Sequence, residues 1–350
     1  MSQLQFDYIP LEELDLWVKA IRQGDRPRQV LGLTLFDGSE SSRRHPSETL
    51  ETRAWPQVAL PTLGDARTTW VEVWSVPADI GPVVHGETAG VSHVSSADLV
   101  FAWLTKPLMG PDVALELATQ HAYDAVFHAL AELGYPHPLR FWNYLPDILG
   151  ANQGEERYRL FNKGRHASFA QHAPAIQNSP PAACALGHPE GLAGPLTVYV
   201  IASRQPVQPI ENPRQISAYR YPPDYGPRSP TFSRAAVAQL GQEDALFISG
   251  TASIVGHETV HVGNVQAQTE ETLNNIEAVL NRMALARRGK PWRTTDLRFK
   301  AYVRHAADLH AVREVILRRL GPSVSCHYLH AVVCRPDLLV EIEATCATSH

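Results

Sequence analysis

The chain has 350 residues, with 31 Lys and Arg against 36 Asp and Glu, which gives a formal net charge of -5. This length predicts two domains that each bury a core, and the mixed charges form no sustained basic stripe, which argues against nucleic acid or an anionic membrane as a partner. With four cysteines, no signal-peptide pattern and no apolar run of membrane-spanning length, the sequence predicts a cytoplasmic protein with free thiols.

Residues 38–55 are dense in Ser, Arg and Glu without periodicity, which predicts an exposed loop within an N-terminal sheet region. The patterns that follow predict a strand at 99–104, a helix at about 111–133, a strand at 139–144, a helix at about 155–171, and strands at 182–186 and 196–202. Residues 204–230 are rich in proline, which excludes a central strand or helix. We expect this segment either to link two domains or to lie as an ordered loop across a surface.

The second half repeats this order of elements. Its patterns predict a strand at 245–254, a helix from Thr269, its N-cap, to about Arg288, a strand at 297–304, a helix at 308–320, and strands at 324–334 and 338–346. Both halves follow the order β-α-β-α-β-β, so we expect an α+β (α/β) protein with two copies of one unit, in which helices pack on one face of a mixed sheet.

The expected domains are residues 1–204, a proline-rich segment at 205–230, and residues 231–350. A fused pair of units could replace contacts between subunits. This favours a monomer, and a trimer is the alternative.

One short motif matches a zinc-binding pattern but lies outside a predicted helix. His257-Glu-Thr-Val-His261 matches the zinc-protease pattern, which requires a helix so that both imidazoles share one face. Glycines flank the motif on both sides and the predicted helix begins only at Thr269, so a polar turn is expected. The chain also lacks a Walker or dinucleotide-binding fingerprint. These patterns therefore indicate neither a protease-type zinc site nor a nucleotide-binding site.

Two acidic residues alternate with apolar ones near the C-terminus. At least one of Glu341 and Glu343 is expected to point from a strand into a covered space, where desolvation would keep a carboxyl protonated and able to donate a proton near neutral pH. The alternative is a solvated face with both carboxylates outward. Cys334 precedes a short turn that leads to Glu341, and a tight hairpin would bring the two side chains together; the alternative is a core thiol.

Four further residues are candidates for binding an anion. Tyr221 and Arg228 lie in the proline-stiffened segment, Arg304 lies on a predicted strand, and Arg165 lies on the second helix of the first unit. Arginine pairs with carboxylates in a bidentate manner, so a dicarboxylate needs two such residues. Each arginine could equally be a surface ion-pair partner.

Several sequence blocks in order resemble those of the chorismatase family, whose enzymes release pyruvate from chorismate and have a fold similar to RidA/YjgF proteins. The blocks are RFWNYLP at 140–146, FNKGR at 161–165, YRYPPDYGPRSP at 219–230, SGTAS at 249–253, VEIEA at 340–344 and the spacing of Cys334 from Glu341. The resemblance implies two RidA/YjgF-like units with the active site in the second, and neither metal nor organic cofactor.

The resemblance also implies roles for individual residues. Glu341 would protonate the enolpyruvyl methylene of chorismate, the small residues Gly250 and Ala252 would shape the pocket, and the substrate carboxylates would be held by Arg228, Tyr221, Arg304 and Arg165. RidA-type deaminases look similar but carry an essential arginine near the position of Cys334, which argues against imine hydrolysis.

The thiol at position 334 looks like the branch of the family that makes an aromatic product, so the resemblance favours 3-hydroxybenzoate, with 4-hydroxybenzoate as a possible second product. Two alternatives stay open at this point. One is a hydrolytic chorismatase that releases a dihydroxy-cyclohexadiene carboxylate, and the other is a non-catalytic RidA-like protein that binds a small carboxylate.

Overall fold

The structure is a computed structural model, and it describes residues 4–37, 55–64, 69–108, 115–152, 154–177, 179–192, 194–241, 243–286 and 292–346. Within these ranges the chain forms sheets of four, seven and six strands, together with two short two-stranded pairs. None of the described helices is both long and apolar enough to cross a lipid bilayer.

The four-stranded sheet lies at the N-terminus. Its strands are β1 (Gln5–Pro10), β2 (Arg28–Phe36), β3 (Gln57–Val58) and β4 (Trp70–Pro77), in the order β1-β4-β2-β3, and helix α1 (Leu14–Gln23) connects the first two. Of the loop predicted at 38–55, residues 38–54 lie outside the described part of the chain, whereas Trp55 is buried.

The first repeated unit follows. Its elements are β5 (Val84–Thr88), β6 (Val91–Ser95), β7 (Leu99–Lys106), α2 (Leu115–Leu133), β8 (His137–Leu145), the short pair β9 (Ala151–Asn152) and β10 (Glu155–Glu156), α3 (Arg157–His172), β11 (Ala182–Gly187) and β12 (Leu196–Ser203).

The second unit has the corresponding elements. They are β13 (Val207–Ile210), β14 (Ala235–Leu240), β15 (Glu243–Ala252), the short pair β16 (Ile254–Val255) and β17 (Glu258–Thr259), α4 (Val265–Ala286), β18 (Arg298–Val303), α5 (Leu309–Leu320), β19 (Ser325–His330), β20 (Val332–Val333) and β21 (Val340–Cys346).

The two large sheets have the same topology. The first unit is ordered β5-β6-β7-β12-β8-β11 and the second β13-β14-β15-β21-β18-β19, and the seventh strand of the first sheet is β20. In each sheet the neighbours joined by the second helix are parallel, β8 with β11 and β18 with β19, and the other pairs are antiparallel. The predicted α+β fold with two copies of one unit is confirmed, although each unit has two strands before the element that the sequence placed first.

Helices cover one face of each large sheet, as predicted. Helices α2 and α3 enclose one core with strands of the first unit, and α4 and α5 enclose a second core with strands of the second unit. The opposite faces meet in a third core to which the N-terminal sheet also contributes. At its centre the ring of Trp74 lies 5.7 Å from that of Trp142 and 5.9 Å from that of Phe247, so one residue from each sheet meets here.

The start of helix α4 differs from the prediction. The helix begins at Val265, and Thr269 lies inside it, where its hydroxyl donates to the carbonyl of Val265. The predicted N-cap is therefore wrong. The side chain of Asn264 instead accepts a hydrogen bond from the backbone N–H of Ala267, as an N-cap residue does. The helix is described to Ala286, and residues 287–291 lie outside the described ranges.

The proline-rich segment both joins the units and covers part of the second one. Residues Val207–Ile210 form edge strand β13, where Pro209 is tolerated because an edge strand can leave one N–H position unpaired. Two short 3-10 turns follow, at Ala218–Arg220 and Pro223–Tyr225. The division at residues 204 and 230 remains a proposal, because the block 1–204 contains both the N-terminal sheet and the first unit.

Candidate active site

A cavity of about 530 Å³ lies where the two units meet. The second unit contributes β15, β21 and the turn between β20 and β21, while the first unit contributes β11 and α3. The proline-rich segment lines it through Tyr221 and Tyr225. Of the residues singled out in the sequence, the cavity brings together Glu341, Cys334, Tyr221, Arg165, Gly250 and Ala252.

Glu341 points inward from the middle of the second sheet. It lies opposite Ala252 on β15 and opposite Tyr302 on β18, and it is only 5% exposed. Because side chains alternate along a strand, Val340 and Ile342 face the helix-covered core instead. The carboxyl of Glu341 has no hydrogen bond or ion pair to any residue in the described ranges.

The environment of Glu341 favours its protonated form. Burial and, next, the charge of Glu343 raise its pKa from 4.5 to about 8, against the opposing effects of Arg140 and Arg234. At neutral pH this group is therefore a neutral carboxylic acid that faces a cavity. Such a group can donate a proton.

The backbone next to Glu341 is shaped to admit the carboxyl. The register between β15 and β21 shifts between Ile248 and Thr251, so a bulge lies beside the cavity. A Cβ atom at Gly250 would overlap Oε1 of Glu341 and would lie 3.0 Å from the Cβ of Cys184. Glycine is required at position 250 because any side chain there would displace the carboxyl of Glu341. Ala252, which lies opposite Glu341 on β15, is also small.

Cys334 lies between β20 and the turn that leads to β21. Burial and the charge of Glu341 raise the pKa of its thiol to about 12, so the sulfur is protonated at neutral pH. The strand before it, Val332–Val333, pairs with Leu186 and Gly187 of the first unit. The segment of the second unit that carries the thiol is thus paired with the sheet of the first unit.

Two buried arginines reach the cavity, and neither makes a direct ion pair with a carboxylate of the described residues. Arg165 is 1% exposed, donates to the amide oxygen of Asn162 at 2.9 Å and lies over the ring of Phe161. Arg234 is 3% exposed and donates to the hydroxyl of Tyr221 at 2.8 Å. Arg234 also donates to the carbonyl of Ile216 at 2.8 Å, and its charge acts on the carboxylate of Glu211. Neither guanidinium is held by a bidentate carboxylate, so both side chains are suited to an anionic ligand.

Sequence reasoning overlooked Arg234. A signal was present, because a lone arginine directly before the apolar strand 235–240 must either pair or face a polar space. Arg234 also explains why Tyr221 lines the cavity, since the hydroxyl of Tyr221 accepts a hydrogen bond from this guanidinium.

The other two predicted arginines do not line the cavity. Arg228 is exposed. Arg304 donates from Nη2 to the carbonyls of Val333 and Arg335, at 2.8 and 2.5 Å, and from Nε to that of Leu338 at 2.6 Å. These hydrogen bonds stabilise the turn that contains Cys334. The structure therefore brings Arg234 to the cavity in place of Arg228 and Arg304.

A further arginine connects two of the segments that line the cavity. Arg335 lies over the rings of Tyr225 and Tyr221, at 4.2 and 5.3 Å, and donates to the carbonyl of His257 at 2.8 Å. The imidazole of His257 contacts the hydroxyl of Tyr225 at 3.2 Å. These contacts join the proline-rich segment to the turn after Cys334.

Behind the cavity, Glu343 is enclosed by donors. Its carboxylate lies 2.6 Å from Arg140 and 2.9 Å from Lys300, and it accepts hydrogen bonds from Trp142 at 2.9 Å and Tyr302 at 3.1 Å. Burial alone would raise its pKa, but Lys300 and Arg140 lower the pKa to about 2. Glu343 is therefore ionised.

The charge network extends to the N-terminal sheet. The ammonium group of Lys300 also lies 2.5 Å from Glu72 of β4, whose other oxygen accepts from Trp74 and Tyr199. Two cations and two carboxylates thus balance one another in the core that all three sheets share.

The motif at 257–261 forms no helix. Residues 258–259 pair with 254–255 as a short hairpin, and His261 has a positive φ of 60°. The interpretation as a polar turn is confirmed. In the described parts of the chain, no group of His, Cys, Asp and Glu side chains has the arrangement of a metal site.

Comparisons with known proteins point to one family. Residues 72–202 match a family model described as chorismatase FkbO/Hyg5-like, N-terminal. The chain is 37% identical to a 3-hydroxybenzoate synthase of Streptomyces hygroscopicus, over 83% of this chain and 85% of that protein. It is also 37% identical to a chorismatase of Streptomyces rapamycinicus, over 83% and 86% of the two chains.

A solved structure agrees with these similarities. The crystal structure of a chorismatase superposes on the chain with a TM-score of 0.83 and 31% identity, and the match covers 99% of both chains. The similarity therefore extends over both units and the N-terminal sheet.

The buried acid should make stability depend on pH. In the folded state Glu341 keeps its proton up to about pH 8, whereas the unfolded chain releases it near pH 4.5. Folding is therefore penalised progressively as pH rises through this window, by up to about 1.4 kcal/mol per pH unit. Relative to the wild type, Glu341→Gln should gain stability across the window and show a constant offset below it.

Denaturant unfolding of both proteins at several pH values measures this difference. The exposed Glu132 supplies a control, because Glu132→Gln should follow the wild type at every pH. A difference between wild type and Glu341→Gln that does not vary with pH would contradict the assignment of a protonated acid.

Proposed function

The chain belongs to the chorismatase family, and we propose that it converts chorismate to pyruvate and 3-hydroxybenzoate, with Glu341 as the general acid. The observation that carries this proposal is a neutral carboxylic acid beside two buried arginines in one cavity. A second product, 4-hydroxybenzoate, is a finer possibility that the product assay below distinguishes.

Chorismate carries two carboxylates and an enol ether, and the cavity has a group suited to each. We assign the carboxylates to Arg165 and Arg234, with the hydroxyl of Tyr221 supporting the latter. Bidentate guanidinium contacts fix the substrate and hold its reactive methylene against the acid. Arg228 and Arg304, which the resemblance suggested for this role, are less suited because neither lines the cavity: the first is exposed, and the second donates from Nε and Nη2 to carbonyls of the turn that contains Cys334.

Proton transfer to carbon is the difficult step. The proton of Glu341 adds to the enolpyruvyl methylene, and the ether carbon becomes an oxocarbenium-like centre. The carboxylate left behind is a negative charge beside this cation, so the site stabilises the charge that develops in the transition state. An acid that was already ionised at neutral pH could not begin this sequence.

The bond between the ring and the ether oxygen then breaks, and the side chain leaves as pyruvate. Chorismate has the same atoms as pyruvate plus a hydroxybenzoate, so no water is consumed. For 3-hydroxybenzoate, the neighbouring ring hydroxyl attacks the carbon that the side chain leaves, and its proton passes to the carboxylate of Glu341, which restores the acid. The resulting epoxide opens at its other C–O bond, and the ring proton lost on aromatisation ends on the new hydroxyl. Direct loss of a ring proton without this oxygen shift would give 4-hydroxybenzoate. The neutral thiol of Cys334 lies in the same cavity, and we assign it to directing the ring towards the aromatic product.

The decisive experiment is to incubate the protein with chorismate, separate the products by chromatography and identify them by their ultraviolet absorbance. We expect pyruvate and 3-hydroxybenzoate in equal amounts, and Glu341→Gln should release neither while still binding the substrate. The control Glu132→Gln should match the wild type. A diene product without an aromatic one would favour the hydrolytic alternative, and an absence of pyruvate would favour a protein that only binds its ligand.

The pH profile supplies a second part of this test. Since kcat/KM reports on the free enzyme, it should fall above about pH 8, where Glu341 loses its proton.

The two assignments of the carboxylate-binding arginine make opposite predictions. If Arg234 binds the substrate, Arg234→Met should raise KM at least tenfold, which corresponds to a charge-assisted hydrogen bond of about 1.5 to 3 kcal/mol. Arg228→Met should then change KM by less than about twofold, as expected of an exposed side chain. The reverse pattern in steady-state kinetics would restore the assignment made from the sequence.

Cys334→Ala tests the role of the thiol. We expect continued release of pyruvate with an altered ratio of aromatic to diene product, because the thiol is assigned to the fate of the ring and the proton comes from Glu341. Chromatography of the products measures the ratio. Unchanged products would remove the thiol from the mechanism.

A further inference from the structure

We propose that Glu343 is a positioning residue for the reaction, a fixed carboxylate on the same strand face as Glu341 that favours the protonated form of this acid. The inference rests on the proposed function, because it takes Glu341 as the proton donor. It assigns a catalytic consequence to a side chain that does not itself line the cavity.

The strand places the two carboxyl groups side by side. Glu341 lies opposite Tyr302, and Glu343 lies opposite Lys300 on the same neighbouring strand. Residues two apart on a strand share a face and are separated by about 7 Å. Both side chains are only 5% exposed, so little water screens the interaction between them.

The donors around Glu343 settle which of the two groups ionises. Arg140, Lys300, Trp142 and Tyr302 all direct a donor at its two oxygens, whereas the described residues offer Glu341 none. The negative charge therefore resides on Glu343. A second negative charge on the same buried face would be repelled, which leaves the proton on the group that faces the cavity.

The other groups around Glu341 do not change which of the two carboxyl groups is ionised. Many titratable and charged side chains surround Glu341 or line its cavity. They are Glu343 on its own strand, Tyr302 and Lys300 on β18, Arg140 and Tyr144 on β8, Cys184 on β11, Glu156 on β10, Tyr158, Arg159 and Arg165 on α3, Tyr221, Asp224 and Tyr225 in the proline-rich segment, Arg234 before β14, Glu258 on β17, and Cys334, Arg335 and Asp337 before β21. Burial raises the pKa of Tyr144, Tyr158, Tyr302, Cys184 and Cys334, so these five groups stay neutral. Arg140 opposes the effect of Glu343 but is itself paired with it, and Arg234 is assigned to the substrate.

Glu343→Gln tests the proposal because it removes the charge and keeps the shape. The falling limb of kcat/KM against pH should move from about pH 8 to about one unit lower. Activity should then drop about fivefold at pH 8 and hardly change at pH 6, a pattern that a purely structural role would not produce. Glu343→Asp, which retains the charge, should keep the limb near its original position.

Two further variants guard the interpretation. Glu343→Gln leaves the buried Arg140 without its carboxylate partner, whereas Lys300 keeps Glu72. Arg140→Met combined with Glu343→Gln therefore leaves the remaining buried charges paired. This double variant should move the limb in the same direction by less, because Glu343 acts on Glu341 more strongly than Arg140 does. Glu132→Gln removes an exposed carboxylate from α2 and should leave the limb unchanged.

The outcomes separate the two proposals. If the limb stays at its wild-type position in both Glu343 variants, or if activity falls equally at every pH, the positioning role is overturned while the proposed reaction stands. If the wild type releases no pyruvate, the proposed function fails, and the positioning role is overturned with it.

Discussion

The site depends on two neighbouring carboxyl groups of one buried strand being in different protonation states. Alternation along β21 turns both Glu341 and Glu343 to the same inward face, and burial alone would protonate both. What distinguishes them is the supply of donors, because four surround Glu343 and none of the described residues offers one to Glu341. Each of the three sheets contributes to this supply, from Arg140 on one to Lys300 on another, with Glu72 on the third holding Lys300 in place. The acid is thus tuned by the whole core and not by its immediate neighbours alone.

The repeat explains why there is a single such acid. In the first unit, Tyr144 on β8 occupies the position of Tyr302 on β18, and the hydroxyls of the two tyrosines contact one another at 2.9 Å. The residue opposite Tyr144 is Thr197, at the position that Glu341 holds opposite Tyr302. A threonine cannot act as a proton donor of this kind. The first unit instead supplies a wall of the cavity through β11 and α3, so one copy of the fold carries Glu341 and the other helps to enclose the cavity.

Local patterns in the sequence were sufficient for part of this arrangement. The alternation around Glu341, the glycine at 250 and the short turn after Cys334 are local properties, and these residues do meet in the cavity. The order of helices and strands from β7 and from β15 onwards was also predictable, since each of these elements has its own periodicity, whereas the two strands that open each unit were missed. The N-terminal sheet was not resolved into strands by this reasoning, and the arginines were only partly identified. Which guanidinium reaches a cavity is decided by contacts between distant segments, such as those of Arg304 with the turn carbonyls, and no local pattern encodes them.

The pairing of β20 with β11 has a consequence for how the protein could have been built. A strand that leaves the second unit to complete the edge of the first makes each half structurally dependent on its partner. Separate expression of the two halves would expose an unpaired edge on β11 and would leave the thiol-bearing turn without its anchor. Cutting the chain between the units would therefore not give two halves that each keep a complete sheet.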